Sequence, residues 1–142
     1  MQEDRIEYDS LGEKQVPNDA YYGVQTVRAM ENFVISKTPI SSFPSFIKAL
    51  GYIKKACAIA NLEFKILDAK VAEAIIEASE DVISGKLDDQ FPVDAIQGGA
   101  GTSVNMNANE VIANRALELM GKDRSSFQVL WGCWCCCWGL VV

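Results

Sequence analysis

Between Phe46 and Phe64, apolar side chains recur at Phe46, Leu50, Ile53, Cys57, Ala60 and Phe64, in steps of 4, 3, 4, 3 and 4. That spacing lines up one face of an α-helix and no face of a strand. Ser41 or Ser42 can cap this helix, and Pro44 suits its first turn, where proline's missing N–H has no partner to lose. Lys48, Lys54 and Lys55 fall off the stripe. A second stripe, Val71, Ile75, Ala78 and Val82, is widened by Ala72, Ile76 and Ile83. It predicts a helix from Asp68, as N-cap, to Ser84, with Gly85 just past its end. Lys70, Glu73, Glu77 and Glu80 fall on its water side.

A third long helix runs from about Thr102 to Met120, and Gly121 stops it. A shorter one, Gln25 to Phe33, follows Val24, Val27, Met30 and Phe33 at three-residue spacing. Ahead of it, residues 5–16 alternate apolar and polar around Leu11-Gly12, which predicts a small hairpin or extended arm. Asp88 to Ile96 reads as a loop or short helix broken by Pro92. The expected fold is mainly α: the N-terminal arm or hairpin, then longer helices at about 43–64, 68–84 and 102–120. Stripes of this kind form the core. Cys57, on its stripe, is expected to be a small buried hydrophobe rather than a nucleophile.

A length of 142 residues fits one domain. Lys and Arg number 13 against 19 Asp and Glu, so no basic footprint for nucleic acid exists. Histidine is absent. No His base, His metal ligand or Ser–His or Cys–His pair can come from these residues. Met1 to Asp9 carries Glu3, Asp4, Arg5 and Glu7 instead of an apolar run of signal-peptide length. Secretion by that route is not indicated, and a cytoplasmic location is expected.

The informative segment is Gln97-Gly98-Gly99-Ala100-Gly101-Thr102-Ser103, which leads straight into the third long helix. Glycines permit positive φ and close approach of the backbone. A helix start presents unsatisfied N–H groups and partial positive charge. Together these make an anion site, with the Thr102 and Ser103 hydroxyls as added donors. No Lys precedes Thr102, so this is not a Walker loop, and the third glycine of a dinucleotide fingerprint is missing. The plain alternative is a flexible turn capped by Thr102 or Ser103. The following helix favours a site. Asn105, Asn107, Asn109 and Asn114 sit within ten residues, and asparagine is a mediocre helix former. Such breaks of local preference mark functional or buried polar positions. Asn105 and Asn109 are one turn apart, and neutral amides can orient a carboxylate without neutralising it.

The run Gly98-Gly-Ala-Gly-Thr-Ser-Val-Asn-Met-Asn-Ala-Asn-Glu-Val-Ile-Ala-Asn114 resembles the first shared region of the aspartase/fumarase superfamily. Its Gly-Gly-Ala-Gly-Thr-Ser form is similar to the aspartate ammonia-lyase branch rather than to class II fumarases. Arg5-Ile-Glu-Tyr-Asp-Ser-Leu-Gly-Glu-Lys, Asp19-Ala-Tyr-Tyr-Gly-Val-Gln-Thr, Arg28-Ala-Met-Glu-Asn-Phe33 and Asp89-Gln-Phe-Pro-Val-Asp94 resemble the same branch, so the likeness covers about residues 5–124. It implies an N-terminal domain of that fold. It implies reversible elimination of ammonia from L-aspartate to give fumarate, with no organic cofactor and no metal ligand set. A base takes the Cβ proton, and the substrate's β-carboxylate holds the charge of an aci-carboxylate intermediate. The resemblance gives Thr102 a contact to substrate carboxylate and places Gly101, Ser103 and Asn105 beside it. It also implies a homotetramer with each active site drawn from three subunits. Neither the family's Ser-Thr-Asn-Asp run nor its Gly-Ser-Ser-x-Met-Pro-x-Lys-x-Asn loop, which carries the serine base, occurs in these residues. No catalytic residue is therefore assigned. The expectation is one wall of a site, inactive by itself. The alternatives are a fragment of a class II fumarate hydratase, or a non-catalytic module that binds lyase subunits.

Residues 1–124 hold every charge, and 125–142, SSFQVLWGCWCCCWGLVV, hold none. The expected division is a lyase N-terminal domain over 1–124 and an unrelated, disordered or artefactual Cys/Trp-rich tail over 125–142. Phe127–Val142 is 16 residues, short of the ~20 that span a bilayer. Cys133, Cys135, Cys136 and Cys137 lack the paired spacing that lets thiolates converge on a metal. The simplest expectation is a truncated, frame-shifted or read-through product. Sequencing the transcript across codon 125 should reveal a break in frame or an unspliced junction, and a verified uninterrupted frame would refute the idea.

Overall fold

A computed structural model describes residues 4–124. Strands β1 (Arg5–Asp9) and β2 (Gly12–Val16) form an antiparallel hairpin, with Arg5 opposite Val16 and Asp9 opposite Gly12. Four helices follow: α1 (Val24–Asn32), α2 (Pro44–Glu63), α3 (Ala69–Ile83) and α4 (Thr102–Leu119). Single 3₁₀ turns at Ile40–Ser42 and Asp88–Gln90 join them. The fold is mainly α, as the periodicities predict. The expected tail over 125–142, with Cys133, Cys135, Cys136 and Cys137, lies outside the described residues. Among those residues no helix is long and apolar enough to cross a membrane.

Helix α3 is central, packing against α2 on one side and α4 on the other. Its predicted stripe holds: Val71, Ala72, Ile75, Ala78 and Val82 are buried, while Glu73, Glu77 and Glu80 face water. The Asp68 carboxylate accepts the N–H groups of Lys70 and Val71, so the predicted cap is real. The cap expected for α2 is not. Phe43 occupies that position, and neither Ser41 nor Ser42 bonds to the helix start.

The stripe on α2 is the larger correction. Phe46 is 44% exposed, Ile53 53% and Phe64 76%, and Cys57 is only half-buried. The buried row is Ile47, Gly51, Lys54 and Ala58, a second set at the same helical spacing. Backbone approach explains the choice. A Cβ at Gly51 would stand 2.8 Å from Ile83 Cγ1 and 3.3 Å from the Ser79 carbonyl oxygen. Gly51 lets α2 lie close on α3, which a larger side chain at that position would prevent. On α1 the three-residue spacing is also only partly right. Val24 is buried with Thr26 and Ala29, whereas Met30 is 36% exposed.

The hairpin turns its alternation inside out. Ile6 and Tyr8 are exposed, and the inward face carries Arg5, Glu7 and Asp9. These charges meet the start of α1, whose first N–H groups need acceptors. Glu7 Oε2 accepts from Val24 N at 2.9 Å. Arg5 bonds Glu7 Oε1 and the carbonyls of Pro17, Ala20 and Tyr22. Asp9 accepts from Arg28 and from Gln25 Nε2. From α4, Glu110 reaches the same helix start and accepts from Gly23 N, Gln25 N, Thr26 N and Thr26 Oγ1.

Residues 38–41 and 91–95 run side by side, with Ile40 N bonded to Val93 O and Ala95 N to Thr38 O. Asp94 gathers Ile35 N, Ser36 N, Lys37 N and the Ser36 hydroxyl. The Ser36 hydroxyl first, then the backbone N–H groups, hold its carboxyl down to about 2. This anchored loop leads into the glycine segment and sets where α4 begins.

Two outcomes follow from these contacts. Gly51→Val should push α2 off α3 and lower stability by about 1–3 kcal/mol, the usual cost of overpacking, as read by thermal unfolding. Wild-type stability there would mean the close approach is not needed. The second concerns Glu110, only 1% exposed. Burial pushes its carboxyl up to about 7, against the donors of Thr26, Gln25 and Gly23. A carboxyl raised in the folded state stabilises it below the unfolded pKa and loses that contribution as pH rises through 7. The full contribution is roughly 3 kcal/mol at 1.36 kcal/mol per unit. With no histidine to titrate in that window, stability should fall between pH 5 and 7.5. Denaturant titrations of Glu110→Gln should show that slope gone.

Candidate functional site

The glycine segment adopts the backbone its composition predicts. Gly99 has φ 74° and Gly101 φ 80°, conformations that side-chain-bearing residues rarely take. Gly101 is the N-cap of α4, and no side chain of the helix's own first turn caps it. Gln97 does so instead, its Oε1 accepting from Val104 N at 2.9 Å while its Nε2 donates to Asp94 O. The plain reading, in which Thr102 or Ser103 caps the turn, therefore does not describe this structure. The N–H groups of Thr102 and Ser103, and both hydroxyls, make no hydrogen bond among the described residues. Thr102 is exposed, and its Oγ1 stands over Gly99. Donors and helix dipole thus point outward together, which is the arrangement that binds an anion.

The predicted site residues are not all on one side. At about 100° per residue, Thr102 and Asn105 lie within about 60° of each other, and Ser103 lies on the far flank from Asn105. Ser103 lines an open groove of about 480 Å³ with Gln25, Arg28 and Phe33. Asn105 faces α2. The asparagines divide the same way. Asn107 Nδ2 bonds Gln90 O and Asn114 Nδ2 bonds Tyr21 O, so these two fasten α4 to neighbouring loops. Asn109 is 6% exposed, and its Oδ1 has no hydrogen-bond partner among the described residues.

One residue at this end escaped the sequence reading. Lys54 is only 6% exposed, and its Nζ donates to Asn105 Oδ1 at 2.7 Å. It forms no ion pair among the described residues, whereas Arg5, nearly as buried, has Glu7 at 2.8 Å. Taking an ammonium out of water costs several kcal/mol unless something compensates. The signal was the row Ile47, Gly51, Lys54 and Ala58, in which a Lys interrupts small and apolar residues at core spacing. Among the described residues no cluster of three or more His, Cys, Asp or Glu could hold a metal ion.

Comparison with known proteins gives the family of this chain. A protein-family model described as Lyase matches residues 12–130. Aspartate ammonia-lyase of Bacillus sp is 60% identical over 123 residues, covering 87% of this chain and 26% of that protein. Class II fumarate hydratase of Halobacterium salinarum is 58% identical over 124 residues, covering 87% and 26%. Among solved structures, a fumarate lyase:delta crystallin from Brucella melitensis bound to cobalt superposes with a TM-score of 0.89 at 50% identity, covering 91% of this chain and 28% of that one. The chain spans about a quarter of the length of the curated relatives it matches. With the family model matching most of its length, and the helical fold and glycine segment in place, the chain belongs to the Lyase family.

Proposed function

We propose that residues 5–124 form the N-terminal domain of an aspartate ammonia-lyase and supply one carboxylate-binding wall of its active site. The observation that carries this is the start of α4, where the Thr102 hydroxyl and the N–H groups of Thr102 and Ser103 have no acceptors among the described residues. In the proposed reaction, a base from outside these residues removes the Cβ proton of L-aspartate, charge builds on the β-carboxylate, and ammonia leaves to give fumarate. Donors already fixed at that carboxylate stabilise the developing charge without reorganising. Thr102 and Asn105 face it, Gly101 lets the backbone come close, and Ser103 flanks it. No organic cofactor is needed. The working form would be a homotetramer in the cytoplasm, and the segment alone would not catalyse. The second reading is a class II fumarate hydratase, which the 58% identity to the Halobacterium salinarum enzyme favours. Both substrates carry two carboxylates, so the same wall serves either.

The test is a chimera in which residues 5–124 replace the matching segment of a complete ammonia-lyase. Thr102→Val keeps the shape and removes the hydroxyl donor. It should reduce kcat/KM by about 1.5–3 kcal/mol in transition-state stabilisation, the worth of a hydrogen bond to a charged group. Parallel chimeras in a complete ammonia-lyase, assayed with L-aspartate, and in a complete class II fumarate hydratase, assayed with L-malate, separate the two readings by which host the segment restores. If kcat/KM stays within twofold, Thr102 does not hold substrate.

A further inference from the structure

The row Ile47, Gly51, Lys54 and Ala58 brings a cation to the site end of α4 through the core rather than across the surface. An ammonium can only donate. The atom of Asn105 facing it must therefore be the amide oxygen, and the amide cannot be turned the other way. That leaves Asn105 Nδ2, with its two N–H donors, making no hydrogen bond among the described residues. Asn105 stands one turn into the helix, its own N–H bonded to Gly101 O, beside the exposed Thr102.

We propose that Lys54 is a positioning residue for the carboxylate wall. Its buried ammonium holds Asn105 Oδ1, sets Nδ2 as the donor toward the substrate carboxylate, and polarises the amide so that this donor is stronger. The proposal rests on the reading of α4 as a carboxylate site. A second carboxylate beside Lys54 would cancel its field, and among the described residues none pairs with it. The positive charge is left to act through one neutral amide on whatever anion sits at the helix start. Hydrogen bonds linked in this way strengthen one another where water is excluded. The field should matter most when charge moves onto the carboxylate, so the effect belongs to the transition state more than to ground-state binding.

The same chimera tests this with Lys54→Met, Lys54→Arg, Asn105→Ala, Asn105→Asp and the Lys54→Met/Asn105→Ala double variant. Asn105→Ala and Lys54→Met should each lower kcat/KM about 10- to 100-fold, chiefly in kcat, and the double variant should be no worse than the poorer single within about threefold. Lys54→Arg, which still donates to Oδ1, should recover most of the rate. Asn105→Asp keeps Lys54 paired and the helix packed but replaces the Nδ2 donors with an acceptor. It should retain the melting temperature and lose about as much kcat/KM as Asn105→Ala, a result that does not depend on Lys54→Met folding. The proposal is overturned if the Lys54 and Asn105 losses multiply, if Lys54→Met leaves kcat/KM within twofold while Asn105→Ala lowers it, or if Asn105→Asp is as active as the parent. If Thr102→Val and Asn105→Ala both leave kcat/KM unchanged, the carboxylate reading itself has failed.

Discussion

The buried carboxylate of Glu110 fixes how the pieces of this chain sit together. From the middle of α4 it accepts Gly23 N, Gln25 N, Thr26 N and the Thr26 hydroxyl, answering the unsatisfied donors at the start of α1. Glu7 answers Val24 N from the hairpin side. The two carboxylates close on Gly23, where an added Cβ would come within 2.6 Å of Glu7 Oε2 and 2.9 Å of Glu110 Oε1. One helix start thus gathers β1, α1 and α4 around it. Losing either acceptor would leave buried N–H groups without partners, the expensive side of any hydrogen-bond ledger.

That junction also orients the site. With α4 held through Glu110 midway and through Asn114 to Tyr21 O near its far end, its first turn is presented to solvent beside α1. The loop before it is secured separately by Asp94, and Gln97 joins loop to helix through Val104 N. Because Gln97 supplies the capping bond, the hydroxyls of Thr102 and Ser103 remain available. Gln97 Oε1 satisfies Val104 N from outside the helix and leaves the N–H groups of Thr102 and Ser103 free for an anion.

Helix α2 shows how periodicity underdetermines packing. It carries two rows at helical spacing, one with Phe46, Ile53 and Phe64 and the other with Ile47, Gly51, Lys54 and Ala58. The second row is buried because Gly51 allows α2 to approach the α3 backbone closely. The large row, with Phe46, Ile53 and Phe64, stays exposed in this chain. The row that went inside carries Lys54 with it, and that places a cation next to Asn105.

The sequence by itself determined the helices, their stops at Gly85 and Gly121, the Asp68 cap and the glycine-led helix start. Each of these depends on residues close in the chain: apolar spacing at 3.6 residues per turn, positive φ at glycine, a side-chain oxygen beside free N–H groups. The resemblance of residues 5–124 to the aspartase/fumarase superfamily was legible for the same reason, since it lies in contiguous motifs. What only the tertiary structure decided was which face each element turns inward. The hairpin turns Arg5, Glu7 and Asp9 inward, Glu7 fully buried, and exposes Ile6 and Tyr8, against the hydrophobic rule, because the partner it meets is a helix start in need of acceptors. Lys54 is buried, though it fell off the large-residue stripe, because the neighbour's backbone, more than 25 residues away in sequence, favoured a glycine row. Both outcomes turn on groups distant in the chain, and periodicity describes a segment without naming the surface it will meet.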